Sequence, residues 1–541
     1  MEILETDVLI VGAGPTGLML AIELGMRGVQ VEIIDRAPQP HGQSRGGGIS
    51  ARTCEVLDMR GLYAPMEARA LPREGATGHF AGLPLDLDVA AWATRHPGGM
   101  AIPQDRVEAV LAERLDEMGV RVRRGAELVA LSVQGPEGAA GVATIGDPDG
   151  TTTTVAARFV VGADGAHSRV RSLAGIDFPG HPATMSAVSA DVELDVVPDT
   201  IPRTIGHIAG HTRIAGGYWM MANSLMEPGA DAFRVVFGIA GPAVEPERDR
   251  AVDPEEVRVA LAAVHGPDAR LRRVRWATRF GDATRIAATY RRGPVLLAGD
   301  AAHIHPPLGG QGLNLGVQDA MNLGWKLAAE LTRAAPEGLL ASYEAERRPV
   351  AESVIRSVRA QRLIMSPTPG TDAVDMRELF ARIAALPEAN RYLAGMVSGL
   401  DIRYPIEGPP PVGSRMPDLD LRTPDHTRVS DLQHDGAALL LDLGVAGDAV
   451  PGARHVVATT EDPQFTGRRL LVRPDGYVAW AGPSGSHPRT LDDALATWCA
   501  AHTLASGNGR HGDRCPSRGQ ARVRRASRSP TREPVRSTEF L

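Results

Sequence analysis

The sequence predicts an α/β protein: a doubly wound, mainly parallel sheet, interrupted by an inserted antiparallel sheet and followed by a smaller mixed module. Three observations predict it. A strand, glycine loop, helix and strand open the chain; the middle changes to short alternating stretches; and a later apolar strand ends in Gly-Asp ahead of a long helix. At roughly 150 residues per domain, 541 residues suit three or four domains. A hydrophobic fraction of 43% and a balance of 58 basic against 65 acidic residues exclude wholesale disorder. The net charge of -7 gives no overall reason to expect nucleic acid or an anionic membrane as partner.

Val8 to Val11 reads as a buried strand, Gly12 to Gly17 as a tight loop and Leu18 to Arg27 as an amphipathic helix stopped by Gly28. Val29 to Ile34 is a second strand ending at Asp35, which completes a βαβ unit and implies parallel pairing. Helical periodicity recurs from Arg106 to Met118, and residues 151–161 read as further strands, closing a first segment at 1–181. Alternation in SAVSADVELDV and AFRVVFGIA marks 182–274 as the antiparallel insert. The first domain resumes over 275–404 with the strand PVLLA and the helix LNLGVQDAMNLGWKLAAEL. Prolines 409 to 411 mark a linker, and 412–501 form the last module, with a hairpin turn at Asp475-Gly476. Residues 502–541 hold nine arginines against three acids and few large apolar side chains, so they read as a disordered, solvated tail.

Cys54, Cys499 and Cys515 form no CxxC or Cys/His cluster, which argues against a disulfide framework or zinc site. The N-terminus lacks a basic segment, and no apolar run approaches a membrane span. A soluble, cytoplasmic protein without a membrane partner is expected.

Three constellations carry chemistry. Gly12, Gly14 and Gly17, with Pro15 and Thr16 between them, form GxGxxG at a strand–helix junction. The first glycine permits the turn, the second lets a pyrophosphate approach, and the third lets helix and strand pack. Asp35, eighteen residues after Gly17, can accept from ribose hydroxyls, which favours an unphosphorylated ribose as in FAD or NAD. The second constellation is Gly162-Ala163-Asp164-Gly165, ahead of Arg169 and Arg171. The third is Gly299-Asp300, followed by Pro306-Pro307-Leu308-Gly309-Gly310-Gln311-Gly312-Leu313-Asn314. A Gly-Asp at a strand end puts a carboxylate where ligands bind, and glycines at a helix start offer N–H groups to an anion.

In this order and spacing the three resemble the single-component FAD-dependent aromatic hydroxylases, the class that includes p-hydroxybenzoate hydroxylase. GHFAGLPLDL, LAGMVSGL and RPDGYVAW bring the match closer to the branch acting on aromatic polyketides, such as the angucycline hydroxylases, and to rifampicin monooxygenase. The resemblance spans about residues 5 to 500. It implies a Rossmann-like FAD domain, an inserted sheet roofing the substrate pocket, and a thioredoxin-like C-terminal module. It puts Gly12, Gly14 and Gly17 on the FAD pyrophosphate, Asp35 on the adenosine ribose, Arg36 near the adenine and Leu128 beside it through its backbone. Arg45 is expected near the flavin or the nicotinamide path, and Gln104 at the ribityl and phosphate region. Asp164 supports the cofactor and NAD(P)H region, Asp300 takes the ribityl hydroxyls, and Gly310 to Asn314 face the flavin pyrimidine edge. No catalytic side chain is assigned beyond the flavin-edge loop of Pro307, Gly310 and Gln311. Tyr218, Trp219 and Met221 are pocket candidates, with core packing of the sheet the equal alternative.

His303 and His305 lie two residues apart, but without a third ligand no metal is expected. The resemblance implies NAD(P)H- and O2-dependent hydroxylation of a phenolic, angucycline-like polyketide through a flavin C4a-hydroperoxide, with NADPH favoured over NADH. Baeyer–Villiger oxygen insertion and a non-catalytic flavin-binding regulator are the alternatives; the absence of WxWxIP counts against a halogenase. A homodimer is a possible partner arrangement.

Overall fold

The computed structural model describes residues 3–40, 46–72, 78–134, 140–227, 229–240, 250–332, 334–365, 371–423, 427–444, 447–483 and 488–499. The basic tail therefore lies outside the described residues, as does Arg45.

Strand Ile3–Val11 pairs in parallel with Val31–Asp35 on one side and Thr152–Gly162 on the other. Val122–Arg124 and Val295–Leu297 extend the sheet outward, also in parallel. Both faces of these strands are covered, so Val8, Leu9 and Ile10 are all fully buried and the sequence shows a continuous apolar run where a half-exposed strand would alternate. Each such side chain contributes about 1.5–3 kcal/mol by leaving water. Helices Pro15–Gly25, Gln104–Glu117 and Gln311–Leu331 supply much of the cover, their inner faces joining the same core. All three begin before their expected starts at Leu18, Arg106 and Leu313. Pro15 is tolerated in the first turn because the missing N–H has no helical partner there, and Pro103 stands at the N-cap of Gln104–Glu117.

The insert is a five-stranded antiparallel sheet in the order Arg270–Gly281, Ser186–Val196, Ala232–Ile239, Tyr218–Ser224, Thr212–Ala215. Helix Pro254–His265, capped by the Asp253 carboxylate accepting from Glu255 N at 2.9 Å, packs on one face. The expected boundary at 274 falls inside strand Arg270–Gly281, because its register with Ser186–Val196 continues through Phe280 and Ala187. A small sheet of Gly180–His181, Thr284–Ile286 and His303–Ile304 joins insert to parent.

In the C-terminal module, Leu439–Leu443 runs parallel to Arg454–Ala458 and antiparallel to Arg468–Val472, which pairs in turn with Val478–Pro483. The turn between the last two contains Asp475-Gly476, with Gly476 at φ +79°. Buried cations tie the module down. Arg473 meets Glu346 at 2.7 and 2.8 Å, and Arg60 donates to the carbonyls of Gln433 and Pro474. Arg415 pairs with Glu55 at 2.9 Å.

Candidate cofactor and active site

Asp35, Gly12, Gly162 and Gly299 end or follow four neighbouring parallel strands, so all lie at the carboxyl edge of one sheet. Ligands bind at that edge in open α/β sheets. The three loop glycines divide into two kinds. A Cβ on Gly12 (φ +104°) would stand 2.3 Å from the Ala163 carbonyl oxygen, and one on Gly17 would stand 1.9 Å from the Gly12 oxygen. Those two are demanded by the fold. Gly14 has φ -79° and a Cβ there would meet nothing within 4 Å. Its role must come from something entering from outside, and the start of helix Pro15–Gly25 adds free N–H groups for an anion.

Asp35 braces this loop, its carboxylate accepting from Ala13 N at 2.7 Å and Ala37 N at 2.8 Å. Each oxygen keeps a lone pair for a ribose hydroxyl. Arg36 is exposed beside it, whereas the Leu128 side chain is buried in the core.

Thr16 joins the first and third constellations. Its hydroxyl would lie 2.7 Å from a Cβ on Gly299 and 2.2 Å from one on Gly316, so both glycines are required for the helices and strand to close. Asp300 is exposed although Ala301 and Ala302 beside it are fully buried. A Cβ on Gly312 would stand 3.7 Å from its Oδ1. Gly46 lies against Leu313 and Gln104, whose backbone N donates to the Gly46 carbonyl at 3.2 Å and whose amide donates to Glu108 at 2.8 Å. Helix Gln311–Leu331 opens after Gly310 (φ +63°) with no side-chain cap, leaving its positive end to whatever binds there. Pro307 and Gly310 are exposed on this loop. Asn314 is held by donation to the Gly310 carbonyl and acceptance from Ser50 N, both at 2.8 Å.

Asp164 is first a structural group. Its Oδ2 accepts from Arg169 N at 2.7 Å and Val170 N at 3.0 Å, holding the start of helix Arg169–Leu173, while Oδ1 is buried with no partner. Burial pushes this carboxyl above its ordinary range. The sequence reading missed Asp319, which organises the Gly-Asp turn. It accepts from Gly299 N at 3.1 Å, His303 Nε2 lies 2.7 Å away, and Arg347 Nε donates at 2.7 Å. An aspartate inside the apolar stretch LNLGVQDAMNLG was the available signal. Among the described residues no group of three or more His, Cys, Asp or Glu could hold a metal.

The pocket candidates separate by strand alternation. Tyr218 packs on the core side of the insert, its ring 6.5 Å from that of Phe237, whereas Trp219 and Met221 point to the other face. On that second face the paired Asn223 and Arg234 follow, with Asn223 Oδ1 buried and lacking a partner. Tyr218 is therefore a core residue, and Asn223 takes its place as a candidate.

The FAD binding domain family model matches residues 5–358, and the C-terminal model of the aromatic-ring hydroxylases matches 409–501. The chain belongs to the FAD-dependent aromatic-ring hydroxylase family. It is 42% identical over 517 residues to the 12-dehydrotetracycline 5-monooxygenase/anhydrotetracycline 6-monooxygenase of Streptomyces rimosus, covering 91% of this chain and 98% of the relative. A rifampicin monooxygenase of Streptomyces venezuelae is 41% identical, over 88% of this chain and 95% of its own. The solved anhydrotetracycline hydroxylase of S. rimosus superposes with a TM-score of 0.81 at 41% identity, covering 92% and 99% of the two chains. A dialkyldecalin synthase of Streptomyces rugosporus is 37% identical, over 92% and 99%. This monooxygenase family uses FAD with NAD(P)H and O2. The residues present fit FAD: room at Gly14 for a pyrophosphate, an exposed carboxylate at Asp300, and an uncapped helix end at Gln311. No helix among the described residues is long and apolar enough to cross a membrane.

Proposed function

We propose that this enzyme hydroxylates a phenolic polycyclic polyketide of angucycline or tetracycline type, with NADPH as the reductant. The observation that carries this is the meeting of Gly14, Asp300, Gln104 and the start of helix Gln311–Leu331 at one sheet edge, in a chain whose relatives act on such frames. Bound flavin supplies the oxygen-activating chemistry. The chain's own residues do the rest. Gly14, in the loop that Gly12 and Gly17 allow to close, seats the pyrophosphate, Asp35 and Asp300 accept from ribose and ribityl hydroxyls, and Gly310 to Asn314 present a positive helix end to the ring. Trp219, Met221 and Asn223 roof the substrate side. The thioredoxin-like C-terminal module supports the frame and carries no redox step, since burial pushes the Cys499 thiol up to about 12.

NADPH oxidation by the purified holoenzyme in air, with angucyclinone and anhydrotetracycline phenols, tests this. Substrate-stimulated oxidation and a hydroxylated product heavier by one oxygen are expected. A ring-expanded lactone would mean Baeyer–Villiger insertion. An isomer formed without NADPH consumption would overturn hydroxylation and point to ring formation of the kind the dialkyldecalin synthase is named for.

A further inference from the structure

The opening turns of helix Gln311–Leu331 have two faces. Gly312, Leu313 and Gly316 look toward Asp300, Gly46 and Thr16, the cofactor side. At 100° per residue, Gln311, Asn314, Leu315 and Gln318 fall on the opposite side. They line a separate, partly open cavity of about 500 Å³, walled by Val350 and Val354 of helix Ser342–Ile364 and by the segment from Gly399 to Pro405. That volume is in the range of small-molecule sites, about 300–1,000 Å³.

Gln311 is 5% exposed and Gln318 6% exposed, yet both amide atoms of Gln311 and Oε1 of Gln318 are buried without a hydrogen-bond partner. Gln318 is not free to rotate away, because its Nε2 donates to Thr53 Oγ1 at 3.2 Å. Buried polar atoms of this kind are normally satisfied in a folded protein. Asp401 adds a carboxyl to the same wall, which burial pushes up to about 6. Leu315, Val350 and Val354 give the wall its apolar part, and Ser353 and Arg403 add further polar groups. The complementary molecule has an apolar body with hydroxyls at its rim, which donate to the glutamine and aspartate oxygens and accept from the Gln311 amide.

We propose that this cavity is a second binding site, behind the cofactor-side helix, for a polyhydroxylated aromatic. It is distinct from the seat of the flavin and stands whichever reaction the front face performs. Gln311 and Asn314 belong to both the cavity, through their side chains, and the flavin-edge segment, through the helix start, so an occupant there contacts the segment that meets the cofactor.

Equilibrium dialysis of the FAD-loaded enzyme against 2,7-dihydroxynaphthalene tests the site. Val350→Trp fills the cavity, and Gln318→Leu removes an acceptor while keeping the volume; flavin content and absorbance confirm that each variant is folded. One bound equivalent is expected to vanish in Val350→Trp and to weaken at least about tenfold in Gln318→Leu, the effect of a lost hydrogen bond in a buried site. Binding that neither variant alters, or no binding at millimolar probe, overturns the proposal. A crystal of the probe complex with only water in the cavity overturns it as well.

Discussion

The two ends of helix Gln311–Leu331 are built on opposite principles. At its far end, Asn322 and Lys326 are at most 1% exposed, and their polar groups meet Glu346 and Asp475. Arg473 completes that network with both acids, so each buried charge has a partner. At its near end Gly310 leaves the helix uncapped, the Gln311 amide has no partner, and Asp300 stands exposed. A satisfied buried network rigidifies, whereas unsatisfied groups are costly unless something outside completes them. One end is frame and the other is site.

The sharpest way to break this contrast is at the frame. Arg473→Ala would leave Glu346 to Lys326 and Asn322, and Asp475 to Asn322 alone, and should cost about 3 kcal/mol in urea unfolding. A loss below about 1 kcal/mol would show that water reaches the network. The same network sets a pH limit. Arg473 and Lys326 hold the Glu346 carboxyl down to about 2, against an ordinary 4.5. Its stabilisation is therefore complete above about 4.5 and fades as pH falls from there toward about 2, which acid unfolding of wild type against Glu346→Gln will reveal.

At the site, Asp300→Ala should leave the apo-protein's stability unchanged and weaken FAD about 10–100-fold in a flavin fluorescence titration, the value of a hydrogen bond to a charged group. Full flavin retention would remove Asp300 from the ribityl contact. The smallest effect on folding is expected for Gly14→Ala, within about 0.5 kcal/mol, because φ is ordinary and the Cβ meets open space. FAD affinity should nevertheless fall. Equal loss of stability and affinity would mean that Gly14 serves the fold, as Gly17 does.

Much of this is legible along the chain. The strand Val8 to Val11, the glycine loop, Asp35, and the Gly-Asp before a long helix are local patterns whose neighbours in sequence remain neighbours in space. Helix starts were displaced by two or three residues, at Pro15 and Gln104 because prolines are accepted in or just before a first turn, and at Gln311 because the helix opens directly after Gly310. Tyr218 stood among the pocket candidates because composition shows that a strand carries aromatics without showing which face is covered. Helix Pro254–His265 decides that, by packing against the face that holds Met220 and Ala222. Asp319 escaped notice for a related reason: its partners His303 and Arg347 lie 16 and 28 residues away.

By itself the sequence determined the parallel sheet, the glycine cradle, the inserted antiparallel sheet and the family to which the chain belongs. Each depends on periodicity or on residues a few positions apart, where backbone geometry leaves little choice. Only the tertiary structure decided that Asp164 is a helix brace, that RPDGYVAW supplies the arginine locking the cofactor-side helix, and that a cavity lies behind Gln311. Those properties depend on which buried polar groups find partners: Asp164 finds its own within six residues, once the chain turns into a helix, whereas Arg473 finds Glu346 127 residues away, through packing alone.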